Sequence, residues 1–144
     1  LDQLQKCIEW IGIPMRSVSD AAPNEHQISA YHGFTEYNVY LEEWMAYIQC
    51  SEAVITDSFH GTVFSINFNT PFFSFCKTKD NEKSSENSRL YSALEMFGLS
   101  DRLVMGTDTP VNIGVDFSSA NTVLSQKREE ASAYLNRMLE TITR

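Results

Sequence analysis

Seven consecutive residues, Thr56-Asp57-Ser58-Phe59-His60-Gly61-Thr62, bring together a carboxylate, three hydroxyls, an imidazole and a glycine. Histidine holds or releases a proton near neutral pH. Glycine lets a ligand approach the backbone closely. If a helix begins near Ser58 to Gly61, its first N–H groups and the positive end of its dipole offer a seat for phosphate or carboxylate. A histidine beside that seat can bind an anionic group and hand it a proton as it leaves. The same pattern also fits a plain helix cap at Ser58 and a turn former at Asp57.

Such a turn needs a strand before it and a helix after it, and the neighbouring residues supply both. Ala53-Val54-Ile55-Thr56 is a short apolar run fit for a buried strand. Val63, Ile66 and Phe68 continue a helical pattern up to Asn69-Thr70-Pro71, where Pro71 disfavours helix. Pro71 to Phe75 is a second apolar strand. Strand, helix and strand in this order form a crossover joining a parallel pair, with ligands expected outside the carboxyl ends of the strands.

Further elements flank this unit. Residues 1–12 carry Leu4, Cys7, Ile8 and Ile11 at helical spacing with Gly12 as stop, and Ile13 to Val18 reads as extended. Residues 19–38 read as a long polar loop. Leu41, Trp44, Met45 and Ile48 form an i, i+3, i+4, i+7 stripe, with Glu42 and Glu43 at the helix start. After a charged loop at Lys77 to Ser88, Leu90, Ala93, Leu94 and Phe97 predict a helix stopped by Gly98. Leu103-Val104-Met105 suggests a short strand. From Ser118 the chain is helical, with Ala131, Tyr134, Leu135, Met138, Leu139 and Ile142 on one face. The pattern predicts a three-layer α/β domain with a parallel sheet.

The 144 residues are 42% hydrophobic, enough for the core of one domain. Six glycines and four prolines exclude a collagen-like or disordered chain. Eleven basic against nineteen acidic residues give a net charge of −8, and residues 1–72 hold nine acids with only Lys6 and Arg16. Nucleic-acid binding needs clustered Lys and Arg, so that partner is not expected. Nor is an integral membrane protein, since no run approaches the apolar length of a span. Cys7, Cys50 and Cys76 are odd in number and form no Cys-x-x-Cys; they point to a reducing, cytoplasmic compartment and to buried core thiols. His26 and His32 read as surface residues, and with no ligand cluster around them no metal site is expected. The absence of any Gly-x-Gly-x-x-Gly disfavours a Rossmann dehydrogenase.

The stretch Ser51 to Phe73, with Asp57-Ser58-Phe59-His60-Gly61-Thr62 at its centre, resembles the signature of the polysaccharide pyruvyl transferase family. Asn87-Ser88-Arg89 at a helix start and Gly98-Leu99-Ser100-Asp101-Arg102-Leu103 are similar to the family's next segment. The Glu43-Trp44 helix and the closing helical region with Arg128 fit as well, so the resemblance covers roughly residues 38 to 140.

The resemblance implies a Rossmann-like domain like the C-terminal half of a glycosyltransferase B type fold. With Leu1 in place of Met, residues 1–144 are then expected to be one domain of a longer protein lacking its N-terminal half, and inactive alone. The implied activity moves a pyruvyl group from phosphoenolpyruvate onto a sugar of a polysaccharide or its lipid-linked precursor, as a ketal, in making the cell envelope. The partners are thus an anionic small-molecule donor and a sugar acceptor, with no cofactor. His60 becomes the donor-site histidine and Ser58 and Gly61 shape its anion pocket. Asn87, Ser88 and Arg89 give a second contact to phosphate or carboxylate, and Asp57 orients His60 or a substrate hydroxyl. Arg102 is expected to pair with Asp101 or a helix end. Two alternatives stay open: a transferase of the same architecture using a nucleotide sugar, and a non-catalytic module of the same fold.

Overall fold

In a computed structural model of the chain, residues 15–19, 33–37, 39–76, 87–105 and 112–142 are described; for 15–19 and 33–37 this extends to the backbone alone. The fold is mixed α/β. Strands β1 (Met15–Ser19) and β2 (Gly33–Tyr37) pair in parallel, Met15 opposite Gly33 and Ser19 opposite Tyr37. Helix α1 (Leu41–Cys50) follows, then β3 (Val54–Thr56), α2 (Phe59–Phe68) and β4 (Phe72–Ser74). After these come α3 (Asn87–Met96), a 3₁₀ turn at Ser100–Arg102 and α4 (Ser118–Ile142). The helix expected over residues 1–12, the histidines His26 and His32, and Cys7 lie outside the described residues.

The expected strand–helix–strand unit forms. β3 and β4 pair in parallel, Val54 with Phe72, Ile55 with Phe73 and Thr56 with Ser74. The strand expected at Leu103-Val104-Met105 shortens to a single parallel bridge, Leu103 to Ser74, with the Val104 N–H donating to the Ser74 carbonyl at 2.9 Å. Residues on β4 alternate between two apolar clusters, as the two-residue period of a strand requires. Phe72 packs with Ile66, Leu90, Leu94, Leu99, Phe117 and Ala120, whereas Phe73 packs with Val104. Each sheet described has two strands.

The long loop expected over residues 19–38 is corrected, because Gly33–Tyr37 is strand β2. Phe34, Thr35 and Tyr37 are good strand formers, but His32 and Gly33 beside them read as loop, and the partner strand lies outside any local window. The expectation of buried thiols is corrected too: Cys50 is exposed and Cys76 half-buried. Cys50 stands two residues past the buried Ile48, which on a helix is nearly the opposite face. Leu41, at the first turn of the α1 stripe, also faces solvent, while Trp44 meets Phe64 of α2 edge-to-face at 5.4 Å.

Helix ends are set by local chemistry. At the start of α1 the Glu43 carboxylate accepts the Tyr40 N–H at 3.2 Å. Helix α2 stops at Asn69, in the left-handed region at φ 57°, where Asn69 N–H bonds Ile66 and Thr70 N–H bonds Ser65. That pair of bonds is the Schellman arrangement, and it ends the helix before Pro71 is reached. Gly98, at φ 67°, repeats it for α3: its N–H bonds Glu95, and Leu99 N–H bonds Leu94. At α4, the Asp116 carboxylate accepts both the Ser118 N–H (2.9 Å) and hydroxyl (2.6 Å). Those two bonds hold the Asp116 carboxyl below the ordinary aspartate range. Helix α4 lies against the core at Ala120 and ties to α2 through Arg128 and Asn67, but Tyr134, Leu135, Leu139 and Ile142 stand more than half exposed.

Two outcomes follow from these caps. Gly98→Ala puts a Cβ at positive φ, with open space around it, and is expected to destabilise the fold by about 1 kcal/mol, read as a lower denaturation midpoint at unchanged slope. Because the Asp116 pKa is depressed in the native state, its contribution is complete above about pH 4 and is lost as pH falls through the lowered native value. NMR titration of the Asp116 carboxyl carbon is expected to give a midpoint below that of an unstructured aspartate, and Asp116→Ala to remove this acid dependence.

Candidate functional site

The turn singled out in the sequence sits where β3 gives way to α2. β3 ends at Thr56, Asp57 bends the chain, and Ser58 caps a helix whose first residues are Phe59 and His60. Ser58 is extended, at φ −90° and ψ 129°, and its Oγ accepts the Gly61 N–H at 3.4 Å. The Thr62 N–H donates to the Ser58 carbonyl at 3.0 Å. Gly61 and Thr62 are thus bonded back to the cap. The Phe59 and His60 N–H groups, at the positive end of the helix dipole, have no hydrogen-bond partner among the described residues.

Thr56, given no role of its own in the sequence reading, governs this geometry. Its Oγ1 accepts the Ser58 N–H at 3.0 Å. Its side chain also lies against Gly61 so closely that a Cβ there would sit 2.5 Å from Thr56 Oγ1 and 3.2 Å from Thr56 Cβ. Gly61, buried and in an ordinary helical conformation, is therefore needed for close approach of helix to strand. A Cβ there would force the Thr56 side chain to shift.

The other expected site residues divide. His60 is exposed, its ring edge-to-face with Phe59 at 5.7 Å. Asp57 is exposed and makes no hydrogen bond or ion pair among the described residues; the expected orientation of His60 by Asp57 does not occur as a direct contact. Asn87 is buried at the first position of α3, with Ser88 and Arg89 exposed beside it. The Arg89 guanidinium lies over the Phe59 ring, 5.4 Å from its centroid. A cation on an aromatic face is attracted by the ring quadrupole. Phe59 thereby links the two segments, since it precedes His60 on α2 and carries Arg89 from α3. The sequence signal for this role was faint, because an aromatic in an apolar helix reads as core.

Two outlying residues are also fixed. Arg102 is buried, and its Nε and Nη2 donate to Asp101, as expected, while Nη1 donates to the Asn112 carbonyl at 2.7 Å and the guanidinium covers Phe73. Cys76, past the end of β4, sits 3.1 Å from the Tyr91 hydroxyl of α3. Among the described residues there is no group of three or more His, Cys, Asp or Glu side chains placed to hold a metal ion, and no helix long and apolar enough to cross a membrane.

The arrangement is two helix N-termini, α2 and α3, brought side by side, with an imidazole on one and a guanidinium on the other. A helix N-terminus and a guanidinium are each groups that suit an anion. The polysaccharide pyruvyl transferase model matches residues 13–75 of the chain. That span runs from the β1 region through β4 and contains the whole Thr56–Thr62 turn; Asn87, Ser88 and Arg89 lie beyond it. No curated relative and no solved structure matches.

Gly61→Ala is expected to displace the Thr56 side chain, release the Ser58 N–H and destabilise the protein by about 1–3 kcal/mol in chemical denaturation. Thr56→Ala added to it removes the atoms in the way and is expected to restore part of that loss.

Proposed function

We propose that this chain supplies the donor-binding wall of a polysaccharide pyruvyl transferase, moving a pyruvyl group from phosphoenolpyruvate onto two hydroxyls of a sugar. The observation that carries the reading is the position of the Asp57–Thr62 turn: it lies inside the family match and at the carboxyl end of a parallel strand, where α/β folds bind anionic ligands. In this reading the domain is the Rossmann-like C-terminal half of a two-domain transferase, working in the cytoplasm on a polysaccharide or its lipid-linked precursor. A further domain closes the other side of the site and contributes to acceptor binding.

The chemistry follows from the donor. One sugar hydroxyl adds at C2 of the enol phosphate while C3 takes up a proton and becomes a methyl group. A second hydroxyl then attacks C2, the C2–O bond to phosphate breaks, and inorganic phosphate leaves with the hydroxyl's proton, closing the ketal. The Phe59 and His60 N–H groups face the phosphate, and the His60 imidazole gives a proton to its bridging or terminal oxygen as the bond breaks and recovers the one the second hydroxyl loses, so the net transfer is from hydroxyl to phosphate. Arg89, held over Phe59, balances the remaining charge on phosphate or carboxylate. Ser58 and Gly61 act through the shape of the turn, and Asn87 and Ser88 through the start of α3. Asp57, exposed beside an anion site, is suited to a sugar hydroxyl rather than to the donor.

Titrating the protein with phosphoenolpyruvate and, separately, with nucleotide sugars tests this while the His60 ring resonances are followed. Phosphoenolpyruvate is expected to move them. Because His60 is exposed, His60→Ala is expected to leave the unfolding midpoint unchanged and, in the two-domain enzyme, to slow pyruvyl transfer by about 10²–10⁴-fold. A response to the nucleotide sugar alone would replace this reading with that of a glycosyltransferase, and a response to neither with that of a binding module.

A further inference from the structure

The turn that bears His60 is tied to β4 as well as to β3, by two hydroxyls that share no water-exposed surface. Thr62 and Ser74 are both 0% exposed, and their Oγ atoms lie 2.7 Å apart. Thr62 Oγ1 is also 3.1 Å from the Ser58 carbonyl oxygen. A carbonyl can only accept, so the single Thr62 hydroxyl proton points to Ser58. The proton between Thr62 and Ser74 must then come from Ser74. The direction of the chain is fixed: Ser74 O–H donates to Thr62 Oγ1, and Thr62 O–H donates to the Ser58 carbonyl.

Ser58 is consequently held on every polar group it has. Its N–H goes to Thr56 at the end of β3, its Oγ takes the Gly61 N–H, and its carbonyl takes both donors of Thr62. Through Thr62 the last of these leads to Ser74 at the end of β4. Ordinary helix caps need the Oγ contact alone. A buried polar pair that apolar side chains could replace is unnecessary for burial itself, and a hydrogen bond in such surroundings fixes position more than it adds stability.

We infer that Ser74 and Thr62 are positioning residues for the anion-binding turn: their relay sets the height and tilt of the α2 N-terminus relative to both strand ends, and so where the Phe59 and His60 donors point. The inference rests on the functional reading above for the identity of the anion, but the relay itself is independent of it. Ser65, whose Oγ donates to the Gly61 carbonyl at 2.8 Å, belongs to the helix rather than to the relay, because it reaches neither strand.

Thr62→Val, Ser74→Ala and Thr62→Val/Ser74→Ala separate positioning from folding. Thr62→Val strands the buried Ser74 hydroxyl, whereas Ser74→Ala leaves the Thr62 hydroxyl on the Ser58 carbonyl; the double variant removes both hydroxyls, so its denaturation midpoint is expected to lie above that of Thr62→Val alone. Positioning predicts that the double variant does not recover the turn. Hydrogen exchange at the Gly61 amide is expected to stay at least about tenfold faster than in the unaltered protein, the His60 ring and Gly61 amide resonances to stay displaced, and phosphate and phosphoenolpyruvate to bind about tenfold more weakly. Thr62→Ser, which keeps the hydroxyl, is expected to restore all of these. Native exchange and resonances in the double variant would overturn the inference, leaving the pair a folding feature. If the unaltered protein binds neither ligand, the functional reading fails, and the exchange and resonance data still decide the relay.

Discussion

Helix α2 begins three residues after β3 ends and lies against the strand it has just left. The contact between Gly61 and the Thr56 side chain makes this possible, since no residue with a Cβ fits the gap. The rest follows from that close approach. It brings Ser58 within reach of Thr56, sets the helix end at the edge of the sheet, and lets Phe59 turn toward α3 and Arg89. The Ser58 N–H, Oγ and carbonyl are each bonded to Thr56, Gly61 or Thr62, which is what allows a helix terminus to sit partly buried beside a strand end.

The core supports this junction from below. Phe72 and Ser74 share one face of β4; Phe72 anchors the cluster with Ile66 and Leu94, and Ser74 takes the place of a further apolar residue where α2 starts. On the opposite face Phe73 packs with Val104 and is covered by the Arg102 guanidinium, itself tied to Asp101 and to the Asn112 carbonyl. Burying Arg102 is possible because its donors find oxygen acceptors on two sides. The site therefore occupies the polar rim of a conventional apolar layer. The family match over residues 13–75 covers the strands and the helix that build the junction, while the partner helix α3 is added by packing.

Much of this was legible along the chain because the signals are local. Asp57 to Thr62 carries its turn, cap and glycine in six residues, Gly98 announces its own left-handed conformation, and the α2 and α3 patterns are long enough to show their period. Where the reading failed, the deciding contact came from far away. Gly33–Tyr37 became a strand because Met15–Ser19 offered an edge, and Cys50 was left exposed because the buried side of α1 is set by α2. The C-terminal stripe of α4 is written in the sequence as a face to bury, yet in this chain it stays open from Tyr134 onward.

By itself the sequence determined the parallel strand–helix–strand unit, the helix end at Ser58, and the residue types able to meet an anion, because backbone preference and side-chain chemistry are properties of neighbours. Tertiary structure alone decided that Arg89 lies over Phe59, that Gly61 is needed for space rather than for its torsion angles, and that Ser74 reaches Ser58 through Thr62. Each of these is a contact between elements, and its distance is set by how closely a helix packs on two strands rather than by any spacing along the chain.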